Sequence, residues 1–232
     1  MKDVTCTLFS QACFKYRFLY LFVSILIVLV MDPILESIAP LRILFSLFIT
    51  FVIMSATYAL SQKPRQVIIA TVLAVPTLGF TWASEGINRP FLFLAGHICG
   101  VLFFAYIVVQ ILIFIAGQNR VTRDLIFGAA VVYLLMAVIW AYGYLIIETL
   151  HPGSFDVPEN HTLSQRYLFV YYSLVTISTL GYGDVTPLTD IAGGFSVLEA
   201  VVGQLYLVTT VAWLVGVHVS QSDKMKGPKG TG

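Results

Sequence analysis

The sequence predicts an all-α membrane protein with six transmembrane helices and a re-entrant pore helix and filter loop between the fifth and sixth. Three observations point there. Hydrophobic residues make up 58% of the 232-residue chain and charged residues only 11%, with a mean hydropathy of +0.89; soluble domains carry about 25% charged residues. Apolar runs close to the ~20 residues that a bilayer crossing requires recur six times, separated by short segments rich in Pro, Gly and charge. One further apolar stretch is too short to cross, and it ends in glycines and an aspartate.

The first run spans about Arg17 to Met31 and is expected to stop at Asp32-Pro33. It is short, but the aromatic stretch before it extends it into the interface, and no small-x-small cleavage site follows to mark it as a signal peptide. The others run from about Pro40 to Leu60, Val67 to Ala83, Phe91 to Ala116, Leu125 to Leu150 and Ile191 to Ser220. The breaks fall at Ser61 to Arg65, Glu85 to Pro90 and Gly117 to Asp124. The expected domains are therefore a cytoplasmic N-terminal segment (1–16), a four-helix membrane domain (17–117), a helix–loop–helix domain (118–220) and a short cytoplasmic tail (221–232).

Lys and Arg in short loops set orientation. Ten of the thirteen fall on one side, which places both termini in the cytoplasm of a multi-pass cell-membrane protein. Asp32, Glu36, Glu85, Asp156, Glu159, Asp184 and Asp190 then form an acidic outer face. A net charge of +1 gives no sign of a nucleic-acid partner. The cysteines, Cys6, Cys13 and Cys99, are odd in number and have no metal-ligand spacing, so neither a disulfide framework nor a metal site is expected. No Ser/His/Asp or Cys/His arrangement supports an enzyme, and no cofactor is called for.

The unusual segment lies between the fifth and sixth runs. Thr162-x-x-Gln165 has the form of a capping box, followed by an apolar stretch to Ile177. A helix from Leu163 to Ile177 would be about 22 Å long, short of a ~30 Å hydrocarbon core. It leads at once into glycines and Asp184, which lipid would not accept. A half-helix that enters and returns, lined by protein or water, meets both constraints.

The end of that segment, Thr176-Ile177-Ser178-Thr179-Leu180-Gly181-Tyr182-Gly183-Asp184, resembles the ion filter of tetrameric pore-loop potassium channels. The likeness, to bacterial ion-channel-domain proteins, covers about 115 residues from Arg120 onward, and the six predicted helices have the layout of voltage-gated channels without their sensor arginines. It implies a potassium-selective filter at Thr179, Leu180, Gly181, Tyr182 and Gly183, with potassium as the permeant ligand coordinated from Thr179 to Tyr182. Such a filter needs successive carbonyls to face one axis in place of the ion's water shell. An extended L-peptide alternates them, so every second residue must turn left-handed, which glycine does without a Cβ penalty. A similar triplet, Tyr142-Gly143-Tyr144, lies mid-helix without the half-helix or the Asp and is read as a decoy.

The resemblance also assigns supports. Tyr171 and Tyr172 stand where the family carries two Trp that brace the filter Tyr, the first of them facing Asp184. Leu180 replaces the commoner Val. Gly203 falls where many such channels place the flexible glycine of the last helix, a gating hinge; a close-packing contact is the other reading. Glu199, a carboxylate inside the last apolar run, is a functional candidate by default. It is expected to accept from Thr176, Ser178 or a Tyr hydroxyl and so support the filter, or else merely to pack.

The fourth run, Phe91 to Ala116, contains no Arg or Lys, so no charged voltage sensor is expected. Gly96-x-x-x-Gly100 reads as a packing motif, and His97 and Gln110 as satisfied packing groups. With short ends, gating is expected in the filter, the last helix, the lipid or a regulatory partner that the sequence does not identify. One loop per chain implies a homotetramer in membrane lipid and a passive channel. A transporter subunit normally carries four degenerate loops, and a silent scaffold has no need of an intact filter.

Overall fold

A computed structural model describes residues 16–36, 42–60, 64–86, 90–118, 120–157 and 164–226. Among them are seven helices: α1 (Arg17–Glu36), α2 (Arg42–Ala59), α3 (Pro64–Gly86), α4 (Pro90–Ala116), α5 (Arg123–Leu150), α6 (Gln165–Ile177) and α7 (Asp190–Lys226). Two short strands, β1 (Phe155–Asp156) and β2 (Thr186–Pro187), complete the described elements. Cys6, Cys13, Lys63, Arg89, Glu159 and the expected cap Thr162 lie outside the described residues.

Five helices contain stretches long and apolar enough to cross a membrane: Arg17–Ile34, Pro64–Ala83, Phe91–Ala116, Arg123–Leu150 and Asp190–Gln221. A shorter apolar stretch, Leu47–Ala59, lies in α2. The chain is an all-α, multi-pass membrane protein by these features.

Helix ends follow local chemistry. Pro64 and Pro90 open α3 and α4, where a missing N–H costs nothing. Thr122 caps α5, its hydroxyl accepting from Leu125 N at 3.2 Å, with Asp124 in the first turn where a negative charge meets the helix dipole. Two boundaries differ from the sequence reading. Helix α1 does not stop at Asp32-Pro33 but continues to Glu36 with Pro33 inside it. Only the last turn lies beyond the proline ring, so few bonds are lost. Helix α7 continues past Ser220 to Lys226; at about 56 Å it exceeds the bilayer, and its polar final turns need no lipid-compatible surface.

The first apolar core joins α1 to α5 through α2, α3 and α4 around Phe18, Leu21, Phe103, Ile107 and Leu135. Helix α1 is also held to the second half of the chain by polar contacts at both ends. Near its start, Arg17 faces Asp124 at 3.8 Å, and Asp124 also accepts from Phe18 N at 3.1 Å. At its other end buried Asp32 meets Arg166 of α6 at 3.3 Å. Asp32, read from sequence as part of an acidic outer face, is thus a buried partner of Arg166. The motif Gly96-x-x-x-Gly100 faces neighbouring helices: a Cβ at Gly96 would lie 3.2 Å from Phe80 of α3, and one at Gly100 would lie 3.1 Å from the Tyr142 ring of α5. Gln110 accepts from Gln66 at 2.5 Å. His97 differs from expectation, because its Nδ1 is buried with no hydrogen-bond partner.

Candidate functional site

Helix α6 is held between α5 and α7 by a second core of Tyr144, Leu145, Phe155, Leu168, Phe169 and Tyr172. Its N-cap is Ser164, whose hydroxyl accepts from Tyr167 N at 3.3 Å, and the described helix starts at Gln165; the expected start, Leu163, lies outside the described residues. At the other end the chain turns back over the last carbonyls. Ser178 N bonds to Leu174 O at 3.2 Å, Thr179 N to Thr176 O at 2.9 Å and Leu180 N to Val175 O at 3.0 Å. The Ser178 hydroxyl donates to Leu174 O at 2.6 Å, and Tyr133 of α5 donates to Ile177 O at 3.1 Å. These donors satisfy carbonyls that a helix end leaves open, and they fix the angle at which residues 178–184 leave α6.

Those residues have an alternating backbone. Thr179, Gly181 and Gly183 have φ of +58°, +56° and +75°. A left-handed turn costs an L-residue roughly 1–2 kcal/mol, so Thr179 is a strained position and the glycines are not. A Cβ at Gly181 or Gly183 would meet nothing within 4 Å; conformation, not crowding, asks for glycine there. The segment is exposed on the single chain, with Leu180 at 56% and Tyr182 at 65%. Past it along the chain, β2 pairs antiparallel with β1, Phe155 opposite Pro187 and Asp156 opposite Thr186, and Leu188 N bonds to Ser154 O at 2.8 Å. The approach to α6 and the exit from the loop are therefore tied together.

The two tyrosines of α6 separate. Tyr171 donates to Asp184 at 2.7 Å and stacks on Tyr182, with ring centroids 6.5 Å apart and planes 7° apart. Burial first, and then Asp184, push the Tyr171 hydroxyl up to about 12, so it remains a donor across ordinary pH. Tyr172 turns the other way, into a cluster with Tyr144 and Phe155. Its hydroxyl bonds to Ser196 of α7 at 2.8 Å; Ser196 in turn donates to Ala192 O at 2.8 Å, which makes Tyr172 the donor of the pair.

Glu199 is fully buried, at 0% exposure. Its carboxylate accepts from the Tyr144 and Ser173 hydroxyls, and Ser173 also lies 2.7 Å from Ala137 O. A Tyr hydroxyl was among the expected donors; Thr176 and Ser178 were the others, and Ser173 occupies that role. Glu199 thereby joins α5, α6 and α7 at one point. Gly203, one turn on, meets the end of α6: a Cβ there would clash with Ile177 Cγ1 and lie 3.1 Å from Ile177 O. Small size at this position lets α7 approach the segment's base.

Several contributors were missed from sequence. Tyr144 belongs to the triplet read as a decoy, yet it stacks or packs edge-on with Phe155, Phe169, Tyr172 and Phe195 as well as meeting Glu199. Gly143 beside it would place a Cβ 2.6 Å from Phe195, so α7 sits close here too. Tyr133, Ser173 and Ser196 were also not singled out. One signal was present: a hydroxyl in an apolar helix must find a partner, and Tyr133 and Tyr144 both lie inside α5.

No curated protein and no solved structure matches this chain. Residues 121–218, from the cap of α5 through most of α7, match the family model for an ion channel, and the segment that builds this site is similar to that family.

Proposed function

We propose that the chain is one subunit of a homotetrameric, passive, potassium-selective channel whose filter is Thr179-Leu180-Gly181-Tyr182-Gly183. The match of residues 121–218 indicates an ion channel; selectivity is the further step. The observation that carries it is the left-handed backbone at Thr179, Gly181 and Gly183, directly after a helix too short to cross the membrane. That alternation is what a stack of inward carbonyls requires, and such a stack replaces the hydration shell of potassium. The C-terminal end of α6 adds partial negative charge beside the stack, which favours a cation. In this reading Tyr171 and Asp184 brace the outer end, Tyr172 and Glu199 hold α6 from behind, and Gly203 is where α7 bends on opening.

The reading includes six crossings, with α2 as the second, and both termini in the cytoplasm. It excludes gating by a charged fourth helix, because α4 carries no Arg or Lys. Rubidium uptake into sealed liposomes containing the protein tests it. Uptake driven by an outward potassium gradient is expected to be fast in wild type, blocked by neither sodium nor lithium at equal concentration, and absent in Gly181→Ala. Sodium uptake as fast as rubidium uptake would refute the assignment.

A further inference from the structure

A cavity of about 640 Å³ lies between α2, α3 and α4 and the α5–α6 region, at the level where α6 begins. Its volume falls within the roughly 300–1,000 Å³ range of small-molecule sites. Three of its polar groups are unlike one another. Arg166 contributes a guanidinium, which also pairs with Asp32 at 3.3 Å. Glu148 contributes a carboxylate held in place by Gly153 N and Ser154 N at 2.8 and 3.0 Å, one to each oxygen, which leaves further lone pairs on both. His97 contributes a ring whose buried Nδ1 has no hydrogen-bond partner. The rest of the wall combines apolar side chains, among them Phe80, Leu92, Phe93 and Leu145, with Thr81, Thr149, Ser164 and Gln165.

This mixture selects a ligand. A purely anionic head would meet Glu148, and a purely cationic one would meet Arg166. A molecule carrying both charges finds a partner for each. An ammonium with several N–H groups can serve Glu148 and His97 Nδ1 together, which a quaternary ammonium cannot. The apolar side chains in the wall and the long apolar helices around it favour a ligand that arrives through the bilayer. We propose that this cavity binds the headgroup of a zwitterionic phospholipid with a primary ammonium, its phosphate on Arg166 and its ammonium between Glu148 and His97. Arg166 is the second residue of α6, so the bound headgroup bears directly on the helix that carries residues 178–184.

The test is lipid binding by the full-length protein in detergent, read by native mass spectrometry and thermal unfolding, neither of which depends on ion selectivity. Phosphatidylethanolamine is expected to be retained about fivefold or more over phosphatidylcholine and phosphatidylglycerol at equal mole fraction. Glu148→Gln is expected to erase that preference while phosphatidylglycerol retention holds or rises, and His97→Phe to weaken phosphatidylethanolamine alone. Equal retention of the three lipids by the wild type, or a preference for phosphatidylglycerol, would overturn the proposal without reference to any variant. Stabilisation by soluble phosphoethanolamine equal to that by the lipid would overturn the membrane source.

Discussion

At Gly181 and Gly183 the backbone, rather than any side chain, sets which residue is acceptable. Both have positive φ and open space where a Cβ would stand, so an Ala at either site has room but the wrong conformation. Each substitution should cost roughly 1–2 kcal/mol per subunit or flip the local peptide, and selective current should disappear while the protein still folds; single-channel recording beside a melting curve checks both halves. This requirement was legible in the sequence because it is a rule of backbone stereochemistry applied to two glycines at alternate positions. The strain at Thr179 was not, since Thr gives no sign of a left-handed turn. Glu199 was half legible. A carboxylate in an apolar run stands out, but which hydroxyls meet it depends on how three helices pack. Glu199→Ala removes the carboxylate acceptor of Tyr144 and Ser173, and Ser173 retains Ala137 O. A buried hydroxyl deprived of its acceptor costs about 1–3 kcal/mol. The Ala variant should assemble but conduct poorly or inactivate, with Glu199→Gln intermediate because it keeps one acceptor oxygen. Tyr144→Phe, which removes the donor and leaves Glu199 bonded to Ser173, should fall near the Gln variant. Wild-type currents from all three at matched protein amounts would make Glu199 a passive packing group.

Helices meet here through small residues and tied ends. Gly203 brings α7 onto Ile177, and Gly143 brings Phe195 onto α5. Gly203→Ala should force the α6–α7 contact apart, lowering thermal stability and current together, because both Ile177 Cγ1 and its carbonyl stand in the way. Adding Ile177→Ala should restore part of the stability by removing the side-chain clash. A hinge without a packing role predicts the opposite split, in which open probability changes and melting temperature does not. The order and rough bounds of the helices were readable from apolar periodicity and Pro placement. The continuation of α1 beyond Pro33 and the pairing of β1 with β2 were not. A proline near a helix end disturbs only one turn, and a two-residue ladder carries no periodic signal. Asp32 misled for a related reason: a charge beside a proline looks like a loop, and its partner Arg166 lies 134 positions away.

On the whole molecule, residues 178–184 and much of α7 lie uncovered on one chain, including Leu180, Tyr182, Val197, Val201, Leu205 and Val208. Lipid suits the valines and leucines, but not a left-handed polar backbone. Four copies around one axis would cover that segment and present it to ions, so mass measurement in nanodiscs should find tetramers, and dissociated subunits should not conduct. Each gating charge moved through the full field contributes about 2.3 kcal/mol per 100 mV; α4 supplies none, so the conductance–voltage relation should be shallow. Of the first four helices, α1, α3 and α4 were legible as stretches long and apolar enough to cross a membrane, and α4 as free of Arg and Lys. The cavity that holds Arg166, Glu148 and His97 was not, because its lining residues come from five separate helices, α2 to α6. If the alternating backbone after α6 selects potassium, the reversal potential must report it. With purified protein in a planar bilayer, potassium on one side and sodium added to the other, the reversal potential should follow the potassium gradient at close to 59 mV per tenfold change and ignore sodium. A reversal potential that stays near zero as the potassium gradient is varied would contradict it.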